Sequence, residues 1–278
     1  MENLSQKIEE SASFLRQQLG SNIPKLAIVL GSGLGSLADE LTEATAVSYA
    51  NIPNFVVSTV VGHAGRLVSG RLGEVGLIAM QGRVHFYEGY DMEQVTFGTR
   101  VLKALGVETL ILTNACGGLN PEYRPGDLMG MRDHIFMPGF AGFNPLRGPN
   151  DDALGPRFLP LLNAYDPQLL QLTTETAHAL GITFHQGTYI MLAGPNYETR
   201  AELKYLRQIG GDAVGMSTVP ETLVAVHGGM RVLGISTVTN IATGEGHSEA
   251  NHAEVLEVGQ AAGPRLTSLI KTLLTKLQ

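Results

Sequence analysis

Six short segments carry residue types that could bind or transfer a small anionic group, and each stands just after an apolar run. Gly31-Ser32-Gly33-Leu34-Gly35 offers bare backbone N–H groups and one hydroxyl between a buried strand and a following helix, where an anion can be held. A plain tight turn explains it equally well, and the dinucleotide fingerprint fails because position 36 is Ser and no acid closes a following strand about 20 residues on. In Arg83-Val84-His85, strand alternation puts the guanidinium and the imidazole on one face, a workable oxyanion grip, although an Arg at a strand end is often a surface charge. His63, in the turn VGHAGR, could join them or be an ordinary loop histidine.

Farther along, Tyr197-Glu198-Thr199 follows AGPN and is expected to open a helix over Glu198–Ile209. Glu198 there either complements the helix dipole or accepts hydrogen bonds from a ligand beside a stacking aromatic ring. Met216 reads as core or ligand contact, and Ser217 as a helix cap or an anion contact. Asn240 ends an apolar strand and presents a donor and an acceptor together, the pair that a purine edge with N7 and a 6-oxo group would meet. His252 enters the last helix as a cap, a packing residue or a ligand contact. No histidine or cysteine shows metal-ligand spacing, and neither a G-x-S-x-G elbow nor a base beside Cys116 suggests covalent catalysis, so no metal and no covalent intermediate are expected.

Apolar, β-branched runs at 26–30, 76–80, 109–113, 188–192, 212–216 and 232–239 must position these groups. Helical patterns at Met92–Leu105, Asp166–Leu180, Glu198–Ile209 and Val219–His227 alternate with several of them, and Asn251–Leu277 reads as a closing helix. That alternation predicts an α/β fold with a largely parallel central sheet flanked by helices, in a single domain spanning 1–278. Ligands of such sheets sit beyond the carboxyl ends of the strands, so the endings GSGLG, QGRVH, NACGG, AGPNYE, MSTVPE and TN describe one shared pocket. Residues 1–22 read as an amphipathic helix with Leu4, Ile8, Leu15 and Leu19 on one side. Pro138 to Arg157 is the one long loop.

The chain has 278 residues, 44% of them hydrophobic and 16% charged, enough for a substantial core. With 19 Lys and Arg against 26 Asp and Glu the net charge is −7, and no basic stripe offers a groove for nucleic acid. The lone cysteine cannot form an internal disulfide, the N-terminal segment lacks a signal-peptide pattern, and no apolar run reaches membrane-spanning length, so a cytoplasmic protein is expected.

Taken in order, VLGSGLG, STVVGHAGRLV, QGRVHFYEGY, TNACGGLNP, NPLRGPND, AGPNYET, VGMSTVPE, STVTN and NHAEVL resemble the trimeric, 6-oxopurine-preferring purine nucleoside phosphorylases from about Lys25 to near the C-terminus. The resemblance implies a mixed sheet, a homotrimer with sites near subunit boundaries, purine salvage by phosphorolysis, and no metal or organic cofactor, with inorganic phosphate as co-substrate. It further implies a phosphate site from Ser32, His63, Arg83, His85, Ser217 and the backbone of Ala115. Tyr87 and Met216 would flank the ribose, His252 would reach its 5′-hydroxyl, and Phe158 would enter the neighbouring subunit's site. Glu198 and Asn240 would bind the base, with Tyr197 and Val214 packed on it; Asn240, His85 and Glu198 would carry the catalysis. Three features depart from the pattern: Tyr197 where many relatives have Phe, Cys116 where Ala is common, and a variable loop from Ile241 to His247. A 5′-methylthioadenosine phosphorylase would carry an acid at position 240. A nicotinamide-dependent oxidoreductase and a non-catalytic purine binder are the readings from other classes.

Overall fold

The computed structural model describes residues 4–60, 62–245 and 251–277, so Met1 to Asn3, Val61, Gly246 to Ala250 and Gln278 lie outside the described residues. Helix α1 (Leu4–Leu19) precedes strand β1 (Leu26–Leu30), the short α2 (Ser36–Asp39), β2 (Thr42–Ser48), β3 (Arg66–Leu72) and β4 (Val75–Gln81). Then come α3 (Met92–Ala104), β5 (Thr109–Gly118), β6 (Leu128–Phe136), the short α4 (Met137–Phe140), α5 (Pro167–Ala179) and β7 (Phe184–Met191). The chain closes with α6 (Arg200–Gln208), β8 (Ala213–Gly215), α7 (Val219–His227), β9 (Arg231–Ile241) and α8 (His252–Thr275).

The runs legible in the sequence are the strands buried on both faces, which must be apolar throughout. In β1, Ala27 and Val29 join a core shared with α1, α3 and α7, while Ile28 and Leu30 point to the opposite core under α5 and α8. Strand β4 divides the same way, Ile78 and Met80 against Leu77 and Ala79, and so does β5, Leu110 and Leu112 against Ile111. In α1 the buried stripe is Ile8, Ser11, Ala12 and Leu15, with Leu4 and Leu19 partly covered, as its periodicity predicts.

Three strands escaped the sequence reading. β2 is an exposed edge strand of polar character, TEATAVS, with only Val47 buried. β3 (RLVSGRL) carries charges and a glycine, and β6 (LMGMRDHIF) changes from buried to exposed at Arg132. Apolar continuity is therefore missing from all three.

The strands order as β2-β3-β4-β1-β5-β8-β7-β6-β9, and β9 pairs back onto β5, so the last five close into a ring. Pairings are parallel for β1 with β4, β1 with β5, β5 with β9, β6 with β7 and β7 with β8, and antiparallel for β2–β3, β3–β4, β5–β8 and β6–β9. The sheet is mixed. Strands β1, β4, β5 and β9, with the edge strand β2, share a carboxyl edge; β8 runs against β5 and reaches the same place by pairing Val214 with Gly117 and Ala213 with Gly118. NACGG lies inside β5, not after it, because β9 extends the ladder past Cys116 with a register shift.

Two glycines of GSGLG have steric duties. Gly33 has φ +76° and its missing Cβ leaves room for Gly259 of α8, where a Cβ would stand 3.1 Å from the facing Cα. At Gly31 a Cβ would lie 2.7 Å from Asn114 Cα and 2.9 Å from Thr113 O, so the end of β1 touches the β5 backbone. Among the described residues no helix is long and apolar enough to cross a membrane. Because the neighbours of Gly31 are backbone, Gly31→Ala must part β1 from β5, an overpacking cost of about 1–3 kcal/mol. A lowered urea midpoint with unchanged slope is the expected result; an unchanged midpoint would show that the two strand ends do not meet.

Candidate active site

Where β1, β4, β5 and β9 end and β8 crosses them, a cavity of about 350 Å³ opens. Ser32, Arg83, His85, Ala115, Ser217, Tyr87, Met216, Tyr197, Glu198, Val214, Asn240 and His252 all line it, with Arg83 and Ser217 in contact and Val214 and Asn240 both beside Gly117. His63 is not part of the wall; it stands behind Ser32, with Nε2 3.2 Å from Ser32 Oγ. Phe158 is far from this description, a loop side chain 87% exposed.

Strand β4 ends at Gln81, and Gly82, with φ +116°, turns the chain so that Arg83 and His85 both enter the cavity wall. The Arg83 guanidinium is 4% exposed and is held on three sides: Nη1 donates to Thr113 O at 2.6 Å and approaches Ser217 Oγ at 3.4 Å, while Nε donates to Glu221 Oε1 at 3.3 Å. Arg83 N–H donates to His63 Nδ1 at 3.3 Å, which leaves the His63 proton on Nε2 facing Ser32 Oγ. Ser32 Oγ then accepts from His63 and keeps its own hydrogen for another acceptor. Burial, reinforced by the nearby His85 and Arg83 charges, lowers the His63 pKa to about 3, so the ring is neutral at neutral pH.

His85 Nδ1 lies 3.0 Å from Glu88 Oε1, and the ring stacks on Tyr87 at 4.8 Å between centroids. Burial lowers the His85 pKa despite the opposing Glu88 hydrogen bond. Burial pushes Glu88 upward, but hydrogen bonds from His85 and from the N–H and hydroxyl of Thr59 outweigh it and leave the carboxyl at about 2. A permanent anion thus fixes the His85 ring with Nε2 free. Glu88 was not singled out from the sequence, although its place three residues after His85 allows the reciprocal cap seen here.

Helix α6 does not begin at Glu198. Thr199 is its N-cap: Thr199 Oγ1 accepts from Glu202 N–H at 3.2 Å, and the Glu202 carboxylate accepts from Thr199 N–H at 2.7 Å. This box takes the helix-dipole role assigned to Glu198 and frees its carboxylate on the preceding loop, where burial raises its pKa. Asn240, in the last turn of the β9 ladder, has Oδ1 3.2 Å from Thr239 Oγ1, whose hydroxyl also lies 3.1 Å from Cys116 O. The one Thr239 hydroxyl hydrogen is shared between these two carbonyl oxygens, and the Asn240 amide lines the cavity. Ser217 is not a cap either; Thr218 caps α7, in a reciprocal box with Glu221, and Asn251, not His252, caps α8. The variable loop is described only as far as Glu245; Gly246 and His247 lie outside the described residues. Among the described residues no group of three or more His, Cys, Asp or Glu could hold a metal ion.

Such a cavity offers hydroxyl, guanidinium and imidazole donors to an oxyanion, and a carboxylate and an amide to a polar heterocycle. The sequence matches the phosphorylase superfamily over residues 25–275. It is 50% identical to purine nucleoside phosphorylase 1 of Bacillus subtilis over 275 residues, covering 99% of this chain and all of that one. Identity to the purine nucleoside phosphorylase of Bos taurus is 51% over 258 residues, 91% of this chain and 89% of the relative. The structure superposes on Schistosoma mansoni purine nucleoside phosphorylase in complex with inosine with a TM-score of 0.93 at 40% identity, covering 98% of this chain and 96% of that one. Sequence and architecture agree over nearly the whole length, and the chain belongs to the purine nucleoside phosphorylases of the phosphorylase superfamily.

Proposed function

We propose that this enzyme cleaves 6-oxopurine ribo- and deoxyribonucleosides such as inosine and guanosine with inorganic phosphate, reversibly, giving the free base and the pentose 1-phosphate for purine salvage. The observation that carries the reading is one cavity lined both by oxyanion donors, Ser32, Arg83, His85 and Ser217, and by a carboxylate with raised pKa, Glu198, and an amide, Asn240. Solved relatives from Schistosoma mansoni hold inosine and adenosine, and a schistosoma relative holds hypoxanthine.

In this reading Ser32, His63, Arg83, His85, Ser217 and the backbone of Ala115 bind phosphate, and Tyr87, Met216 and His252 surround the pentose. A phosphate oxygen bonds to C1′ as the bond from C1′ to N9 breaks, through an oxocarbenium-like state with positive charge on the sugar and negative charge on the base. Asn240 Nδ2 donates to N7 of the departing purine, a contact that strengthens as charge develops and so lowers the barrier. Glu198 accepts from N1–H and, in guanine, from the 2-amino group. Adenine has no N1 proton and would leave that buried carboxylate unpaired, a mismatch able to discriminate by roughly 10⁴-fold in kcat/KM. Tyr197 and Val214 pack against the base. Phosphate is a co-substrate, and the reaction calls on no metal or organic cofactor. The 87% exposure of Phe158 fits a homotrimer in which this ring enters a neighbour's cavity, and the single buried thiol of Cys116 fits a cytoplasmic enzyme.

Incubating inosine with and without phosphate tests the reading: hypoxanthine and ribose 1-phosphate should form only when phosphate is present. A purine binder without activity releases neither, and a hydrolase releases ribose in both. Asn240→Ala should lower kcat on the order of 10²–10³-fold, about 3–4 kcal/mol, by analogy with loss of one oxyanion donor. A kcat within twofold of wild type would remove Asn240 from the chemistry. Because burial raises the Glu198 pKa and only the carboxylate accepts from N1–H, kcat/KM for inosine should fall as pH drops through that raised value. Glu198→Gln should abolish this acid limb; a limb persisting at the same pH belongs to another group.

A further inference from the structure

Glu221 ends the VGMSTVPE block and was given no role above, yet its carboxylate joins Arg83 to the turn that carries Ser217. Its Oε1 is 3.3 Å from Arg83 Nε, its Oε2 is 3.0 Å from Arg83 Nη2, and Oε2 also accepts the Thr218 N–H at 3.1 Å. Glu221 is 5% exposed and Arg83 4%, so the pair is shielded from water. The Nη2 geometry is off the hydrogen-bond line, so Nη2 meets Glu221 as an ion pair and makes no hydrogen bond.

That turn is strained. Thr218 has φ +76° and ψ −48°, and Val219 N–H donates to Ser217 O across it at 2.8 Å, the positive-φ γ-turn that a β-branched residue rarely enters. Such a conformation persists only where its surroundings over-determine it. Here Asn114 Nδ2 donates to Thr218 Oγ1 at 2.8 Å, Thr222 N–H donates to Thr218 O at 2.9 Å, and Glu221 holds the Thr218 N–H. The turn presents Ser217, whose Oγ faces Arg83 Nη1.

We propose that Glu221 is the positioning residue of the phosphate site: one carboxylate locks the Arg83 guanidinium to the Thr218 turn, so that Arg83 and Ser217 meet phosphate in a fixed relative geometry. Resting on the phosphorolysis reading, this assigns Glu221 an action through Arg83 and Ser217 and no contact with substrate. Arg83 Nε–H and Thr218 N–H each take one of its two oxygens, with Arg83 Nη2 within ion-pair range of the second, and a glutamine, with a single carbonyl oxygen, cannot serve both the guanidinium and the turn. The carboxylate also offsets a charge that would otherwise be buried alone before phosphate arrives.

Steady-state kinetics on the full-length enzyme test it, after phosphate-dependent cleavage of inosine has been measured for the wild type; absence of that dependence would sink the underlying reading and is seen before any variant is made. For Glu221→Gln the phosphate KM should rise roughly 10- to 100-fold, the scale of a lost charge-assisted contact, while the inosine KM stays within about threefold. Parallel rises in both KM values would reduce Glu221 to a helix cap, an unchanged phosphate KM would leave it without a part in phosphate binding, and a lower one would mean that it only dilutes the charge of Arg83. Each of these overturns the proposal. Calorimetric Kd values for phosphate on Arg83→Gln and on Arg83→Gln/Glu221→Gln, which removes both charges, give the same answer should the single variant fail to fold. They should agree within about threefold, since the guanidinium that the carboxylate locks to the Thr218 turn is already gone, whereas a further loss beyond about tenfold in the double variant refutes it.

Discussion

A guanidinium cannot shed its charge, and at 4% exposure Arg83 must be compensated inside the protein. Much of the site is arranged around that requirement. The Thr113 carbonyl, the Ser217 hydroxyl and the Glu221 carboxylate come from β5, the loop after β8 and helix α7, three elements that reach Arg83 only because β4, β1 and β5 lie side by side and β8 crosses the end of β5. The backbone contact of Gly31 with Asn114 and the unusual turn at Thr218 follow from packing those elements so closely.

Strand β5 is common to two constructions. On one side it continues the open sheet through β1 and β4, and on the other it belongs to the ring completed by β8, β7, β6 and β9. The open side supplies Ser32, Arg83 and His85 to the cavity wall, and the ring supplies Val214 and Asn240. A ligand lying across β5 therefore touches both. Two-sided burial of β5 keeps that platform rigid, with Leu110, Ile111 and Leu112 buried in alternate cores.

Two carboxylates manage charge in opposite ways. Glu88 is stabilised as an anion by a ring of donors, and it orients His85 without itself lining the cavity. Glu198 has only its own backbone N–H as a donor, so burial dominates and raises its pKa. Polar groups that the protein leaves unsatisfied are the ones through which a site can select, whereas those it satisfies internally serve as its scaffold.

Local sequence determined what local physics controls. Strands buried on both faces must be continuously apolar, which made β1, β4, β5 and β9 legible, and their glycine- and asparagine-rich endings, with Arg83 and His85 on one face, marked where a ligand would sit. Twelve of the residues singled out, from Ser32 to His252, line one cavity. The exposed edge strand β2, the interrupted β3 and the two-natured β6 lack that continuity and emerged only with the sheet. So did the ring closure, the release of Glu198 from α6 by the Thr199 box, and the union of Arg83 with Glu221 across 138 positions of chain. Thr218 and Glu221 had the spacing of a capping box, yet nothing local says which buried cation such a carboxylate will meet. Periodicity records the faces a segment must cover, whereas long-range partners are chosen by the packing of all segments together, and that choice exists only in the folded chain.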